Sequence, residues 1–199
     1  MTFVVKRLPP ILLASTSPRR RELLLSLGLP FDVRAADVDE TLLPGENAFD
    51  GAERLARAKA GAAAVGAPET LVVAADTLVV LESVALGKPK DRGDVCRMLA
   101  ALAGRAHDVV TGVACTLGGR IVSGRETTRV VLAPMSPAEI EAYAATGEPD
   151  DKAGAYAMQG IGGLFVERVE GSPSNVVGLP VRLLYRLARE LGVDLALRP

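Results

Sequence analysis

The chain has 199 residues, 49% hydrophobic and 24% charged, and its 23 basic and 24 acidic side chains leave a net charge of −1. That balance excludes a disordered chain, allows a substantial core, and gives no overall nucleic-acid footprint. With 4% aromatic residues and no Trp there are few platforms for stacking single strands. No apolar run approaches the roughly 20 residues that cross a bilayer. The opening Met1–Pro10 is too short and Pro-broken for a signal peptide, so the expected location is the cytoplasm.

Ile11-Leu12-Leu13 reads as a short buried strand. Ser17 then offers an N-cap and Pro18 suits the first helical position, with Leu23, Leu24 and Leu27 at helical spacing before Gly28. Three arginines, Arg19 to Arg21, crowd the first turn. The free N–H groups and the dipole already make that end electropositive, so cations there call for an anion nearby. Phosphate would satisfy backbone N–H, serine hydroxyls and guanidinium forks together; an ordinary solvated basic turn is the alternative.

Phe31–Ala35 alternates as a half-exposed strand, followed by Asp37, Asp39 and Glu40, which alone would read as a solvated loop. An Ala-rich helix is predicted over residues 47 to 65, and it places Lys59 along its apolar stripe. A lysine there either snorkels to the rim, the commoner outcome, or meets an anion. Leu71–Ala75 suits a strand covered on both faces, ending at Asp76, where α/β sheets open into ligand crevices. Residues 77 to 81 continue as a strand and turn back at Glu82-Ser83 through Val84–Leu86. Gly87-Lys88-Pro89 then holds Lys88 extended. Asp91 is either the cap of a helix over 92 to 103 or a catalytic acid.

Two strands follow, His107–Leu117 and Arg120–Leu132, joined by Gly118-Gly119, a hairpin signal. His107 is the only histidine, so a His-based metal site is excluded, and backbone bonding is its expected role. Cys96 and Cys115 match no metal or redox spacing and read as inert buried thiols. Ser136-Pro137 starts a helix to about residue 145. The loop 147–152 leads into a small, flexible stretch carrying Gln159, whose amide serves either a ligand or the loop backbone. A strand over 164–169 and a helix over 180–191 complete the pattern.

Cations at Arg19, Arg20, Lys59 and Lys88 and carboxylates at Glu40 and Asp76 thus all fall near element ends. Phosphoryl hydrolysis needs that pairing, cations to spread phosphate charge and acids to hold a magnesium-like ion and activate water. Walker, HExxH, GxSxG and CxxC patterns are missing from the sequence.

Ser15-Thr16-Ser17-Pro18-Arg19-Arg20 with Glu22-Leu23-Leu24 resembles the opening motif of the Maf family of nucleoside triphosphate pyrophosphatases. The resemblance continues through Asp37–Glu40, Arg54-Leu55-Ala56 with Lys59-Ala60, and Ala75-Asp76-Thr77. It runs on through Gly87-Lys88-Pro89 with Asp91, His107 with Thr111, Asp151–Tyr156 with Gln159-Gly160, and Gly178-Leu179-Pro180, across residues 11 to 191. Ala157-Met158 departs from the family's more frequent Gly-Ile.

The resemblance implies one Maf-like domain over 1–199 with two lobes. Its fold would be α/β, a mixed, elongated twisted sheet flanked by helices around a central cleft, as in inosine triphosphate pyrophosphatases. It implies cleavage between the α and β phosphates of a nucleoside triphosphate, a divalent cation (Mg or Mn), and a homodimer, with neither nucleic acid polymer nor membrane as partner. Asp76 would be the proton acceptor; Ser15, Arg19, Arg20, Lys59 and Lys88 would hold phosphates; Glu40 would share the metal with Asp76. Arg19, Thr77 and Gln159 match the positions linked to substrate choice in the branch acting on dTTP and UTP, with modified pyrimidine triphosphates as further candidates. The alternatives are the sibling branch acting on 7-methyl-GTP, which carries Glu at the Gln159 position, and a non-catalytic nucleotide-binding regulator of septum formation.

Overall fold

Three long strands form the backbone of the computed structural model, which describes residues 8–196. They are β3 (Leu71–Leu81), β5 (Ala106–Leu117) and β6 (Arg120–Leu132), of 11, 12 and 13 residues. At ~3.3 Å per residue such strands are about twice the usual length, so the sheet is elongated. Residues 1–7, on which part of the signal-peptide argument rests, lie outside the described ones. No helix among the described residues is long and apolar enough to cross a membrane.

The sheet has seven strands. Two short parallel strands, β1 (Ile11–Leu13) and β2 (Asp32–Val33), extend one side of β3, and β7 (Val166–Glu170) closes the far edge beside β6. The hairpin β5–β6 turns at Gly118-Gly119, whose φ values of +60° and +75° are those a tight two-residue turn requires. The mixed α/β architecture is the expected one.

The feature that positions the site is an interruption. β5 pairs with one side of β3 continuously from Val72 to Val80. On the other side β1 pairs only with Leu71–Val73, and β4 (Val84–Leu86) only with Val79–Leu81. Between them residues 74–78 have no neighbouring strand, and this gap is the floor of a cleft. Asp76 therefore sits in mid-strand rather than at a strand's end. What ends there is its neighbour β1.

Helix α1 (Pro18–Ser26) follows β1, but Ser17 makes no side-chain cap; its N–H donates to Ser15 Oγ at 3.2 Å. Helix α2 (Ala48–Ala63) is capped by Asn47 and buries Ala52, Ala56, Ala60 and Ala63 against the sheet. These small residues, and Gly112 beneath Ala52, let the helix lie unusually close to β5. Helix α3 (Arg92–Leu102) is capped by Asp91, whose Oδ1 accepts from Asp94 N at 2.8 Å. That settles Asp91 as a cap. Helix α4 (Pro137–Ala144) has the full capping box of Ser136 and Glu139.

Several elements differ from expectation. The strand predicted over 31–35 shrinks to β2, because exposed residues with one neighbouring strand have little to pair with. Residues 160–165 are a 3₁₀ helix, so β7 begins at Val166 instead of Leu164. A short helix, α5 (Pro173–Val177), lies ahead of the final α6 (Val181–Glu190). Cys115 is buried, its thiol pushed up to about 12 by burial, whereas Cys96 is only half-buried, with Sγ 3.5 Å from Glu141 Oε1.

Candidate active site

Side chains alternate along a strand, so Asp76 and Thr77 leave β3 on opposite faces of the sheet. Each meets a different set of partners at the gap.

On the face of α2, Lys59 reaches Asp76. Its Nζ lies 2.6 Å from Asp76 Oδ1 and 2.7 Å from Glu40 Oε1, with both Lys59 and Asp76 buried. The expected snorkelling of Lys59 is thus replaced by the alternative: it bridges two carboxylates. Lys59 stands seven residues, two helical turns, after Ala52, so the close helix–sheet approach carries it down to the strand. Burial raises the cost of ionising Glu40, but the Lys59 hydrogen bond and charge, with Lys88 and Arg20, hold its carboxyl below the ordinary value. Neither Asp37 nor Asp39 lines the cleft. Asp39 instead closes a local turn, accepting from Thr41 N at 2.9 Å.

On the opposite face, Arg20 is fixed at three points: Nε to the Gly178 carbonyl at 2.7 Å, Nη1 to Ser15 Oγ at 3.2 Å and Nη2 to Thr77 Oγ1 at 3.0 Å. Gly178 has φ +112°, which lets its carbonyl turn towards the guanidinium. Burial pushes the Arg20 pKa down and Arg19 adds to this, while Asp76 and Glu40 oppose it; it remains a cation. Three of its five N–H groups are engaged, leaving two for a ligand. Ser15 Oγ accepts from both Ser17 N and Arg20, so its own proton is free to point into the cleft.

The walls carry the remaining groups. Arg19 pairs with Asp151 across the mouth at 3.1 Å, and Lys152 Nζ lies 2.6 Å from the same carboxylate. Lys88 and Gln159 are exposed on the cleft and their side chains have no hydrogen-bond partner among the described residues. Gln159 does not serve its own loop. Tyr143 and Glu148 hold that loop instead: Tyr143 Oη accepts from Ala157 N at 3.1 Å and donates to Glu148 at 2.9 Å, and Glu148 accepts from Ile161 N and Gly162 N at 3.0 and 2.8 Å. Sequence reasoning missed both, as well as Asp151 and Lys152 as cleft residues. His107, buried behind, faces Tyr156 Oη at 2.8 Å, in addition to the expected backbone interaction, which comes from Arg105.

All nine residues singled out in the sequence, Ser15, Arg19, Arg20, Glu40, Lys59, Asp76, Thr77, Lys88 and Gln159, therefore line one cleft of about 600 Å³, a size that admits a nucleotide. Five cations and three carboxylates line it, a surplus of two positive charges. A triphosphate carrying one divalent cation has the opposite charge.

A family model described as Maf-like protein matches residues 10–191. A dTTP/UTP pyrophosphatase of Anaeromyxobacter dehalogenans is 52% identical over 192 residues, covering 94% of this chain and 96% of that one. Another, of Chromobacterium violaceum, is 48% identical over 190 residues, covering 93% and 96%. Among solved structures, the Staphylococcus aureus Ham1 protein is 18% identical with a TM-score of 0.45, over 62% of this chain and 72% of that one, a likeness too partial to argue from.

Proposed function

The chain belongs to the Maf family, and from that premise we propose that it hydrolyses dTTP and UTP to the monophosphate and pyrophosphate, as its relatives are named for doing. The observation that carries the reading is the convergence of Asp76, Lys59, Glu40, Arg20 and Lys88 on one cleft with an unengaged glutamine amide on its wall. Uracil and thymine present an N–H donor beside a carbonyl acceptor, which both ends of the Gln159 amide can match.

The chemistry follows from which atoms are free. Asp76 Oδ1 is held by Lys59, while Oδ2 has no hydrogen bond among the described residues. Oδ2 is the atom that takes the proton of the attacking water. Lys59 holds the carboxylate in place through Oδ1. The two free N–H groups of Arg20, the Ser15 hydroxyl and the Lys88 ammonium meet phosphate oxygens, and the charge that develops on the departing pyrophosphate falls among them. Water attacks the α phosphorus and the bond to the bridging oxygen of the β phosphate breaks.

A divalent cation fits the residues present. Glu40 and Asp76 already converge on one cation, the Lys59 ammonium, at 2.7 and 2.6 Å. No group of three or more His, Cys, Asp or Glu among the described residues is placed to hold a metal ion by itself. Two carboxylates with substrate phosphates suit Mg²⁺, which rarely takes an all-protein cage. Glu40 and Asp76 would hold it, and when bound it would neutralise phosphate charge and acidify water. A homodimer and a cytoplasmic site of action belong to the same proposal.

The test is a panel of nucleoside triphosphates with magnesium or manganese. Turnover of dTTP and UTP above the purines supports the reading; preference for 7-methyl-GTP, or binding without pyrophosphate release, overturns it. Hydrolysis in heavy-oxygen water should label the monophosphate, and label in pyrophosphate would rule out attack at the α phosphorus.

A further inference from the structure

Behind Arg20 runs a chain of hydroxyls whose proton directions are fixed by elimination. Thr77 and Thr111 stand opposite each other in the β3–β5 register, with their Oγ1 atoms 3.0 Å apart. Thr111 is fully buried and its hydroxyl donates to the Asn175 carbonyl at 2.9 Å. A hydroxyl has one proton. Thr111 has used its own, so it can only accept from Thr77. The Thr77 proton then points inward to Thr111, and its oxygen accepts from Arg20 Nη2. The end of the chain is anchored as well, because Asn175 is fully buried and its Nδ2 donates to the Val109 carbonyl at 2.9 Å and to Thr128 Oγ1 at 3.0 Å.

We propose that Thr111, terminated by the Asn175 carbonyl, is a positioning residue for Arg20: it orients the Thr77 hydroxyl so that a lone pair, never the proton, faces the guanidinium. Thr77 consequently offers no donor to a nucleotide. Its influence on substrate passes through Arg20, whose two unengaged N–H groups are aimed by this relay. Neither Thr111 nor Asn175 lines the cleft. Without the Thr111 hydroxyl the Thr77 proton has no inward acceptor and turns, setting a donor against a donor at Nη2. The proposal rests on the hydrolytic reading given above and on Arg20 as a phosphate-binding group.

The experiment compares Thr111→Val, Thr111→Ser, Arg20→Gln and the Thr111→Val/Arg20→Gln double variant, following kcat and KM for dTTP alongside thermal midpoints. The expected result is a ~10–100-fold loss of kcat in Thr111→Val with little change in KM, the scale of a guanidinium misplaced by about 1 Å. Thr111→Ser should regain most of it. In the Arg20→Gln background the valine should cost less than about 3-fold, since the group it positions is gone. Wild-type kcat in Thr111→Val, or an equal loss in both backgrounds, overturns the proposal. Should the valine variant not fold, Thr77→Val cuts the same link one step nearer the guanidinium. A second readout needs no substrate: the Arg20 Nε–Hε resonance, assigned by its loss in Arg20→Gln, should be sharp in wild type and Thr111→Ser and broadened in Thr111→Val. An unchanged resonance refutes the relay even if dTTP proves to be the wrong substrate. Wild-type inactivity towards dTTP and UTP with the resonance behaving as expected refutes the functional reading alone.

Discussion

Gly112 offers the most direct test of how the site is held together. It lies opposite Asp76 in β5, beneath helix α2. A Cβ added there would stand 2.2 Å from the Ala52 carbonyl oxygen and 2.5 Å from Glu53 N. Both are helix main chain, so no rotamer can relieve the clash. Restoring ordinary contact at 3.4 Å requires α2 to rise from the sheet by about 1.2 Å. Overpacking of this kind costs about 1–3 kcal/mol. For a chain of this length that is a fall of roughly 2–12 °C in thermal midpoint. The same movement lifts Lys59, two turns further along, off Asp76, where the separation is now 2.6 Å. A catalytic pair misplaced by about 1 Å loses on the order of 100-fold in rate. Gly112→Ala should therefore show both losses together, by circular dichroism melting and by colorimetric pyrophosphate release. Alanine suits a strand better than glycine by ~0.5–1 kcal/mol, so without the helix contact the midpoint would rise. A raised midpoint with undiminished kcat would refute the argument that this glycine sets the Lys59–Asp76 distance.

Three further outcomes are expected. Asp76→Asn should abolish turnover while circular dichroism shows an intact fold, because Lys59 keeps Glu40 as partner; retained activity would remove Asp76 Oδ2 from its role. Glu148→Gln places an amide against the Ile161 and Gly162 N–H groups, so the loop bearing Gln159 should loosen. KM for dTTP should rise several-fold with smaller change in kcat, and those two amides should exchange faster; unchanged exchange would contradict the clamp. Burial lowers the His107 pKa from 6.5 to about 4, so the unfolded chain binds the extra proton first and stability falls as pH drops from about 6.5 to about 4. At ~1.4 kcal/mol per pH unit the loss totals about 3 kcal/mol. Urea titrations across that range should show a shallower slope for His107→Asn than for wild type, and parallel slopes would count against it.

Where composition and local chemistry decide the outcome, the sequence alone leads to the structure. Ser136-Pro137 becomes a capped helix, Gly118-Gly119 a hairpin and Asp91 a cap, because each is settled within a few residues. The same signal at Ser172-Pro173 marks α5, a helix the sequence reading passed over. Arg20 stands out beforehand as an unfavourable cation at a helix start. Its anchors at Thr77 and Gly178 come from distant parts of the chain, and nothing local announces them. Lys59 shows the limit most clearly. Helical periodicity places it on the buried stripe, but whether a buried lysine finds water or acid depends on which strand lies beneath. Glu148 reads as one more charge in a polar loop, since its partners are main-chain N–H groups that carry no residue-type signature.

One consequence of the interrupted strand edge concerns how such an enzyme changes its preferences. Asp76, the proton acceptor in the proposed mechanism, and Thr77, the anchor of the guanidinium, are successive residues, their Cα atoms about 3.8 Å apart across a single peptide bond. Opening or narrowing of the mouth alters how far Lys88 and Gln159 stand from this pair, but it cannot alter the spacing within it. On the proposed mechanism, that spacing is therefore independent of the mouth: the segment around Gln159 can be rewritten to admit a different base while the Asp76–Thr77 hub keeps its dimensions.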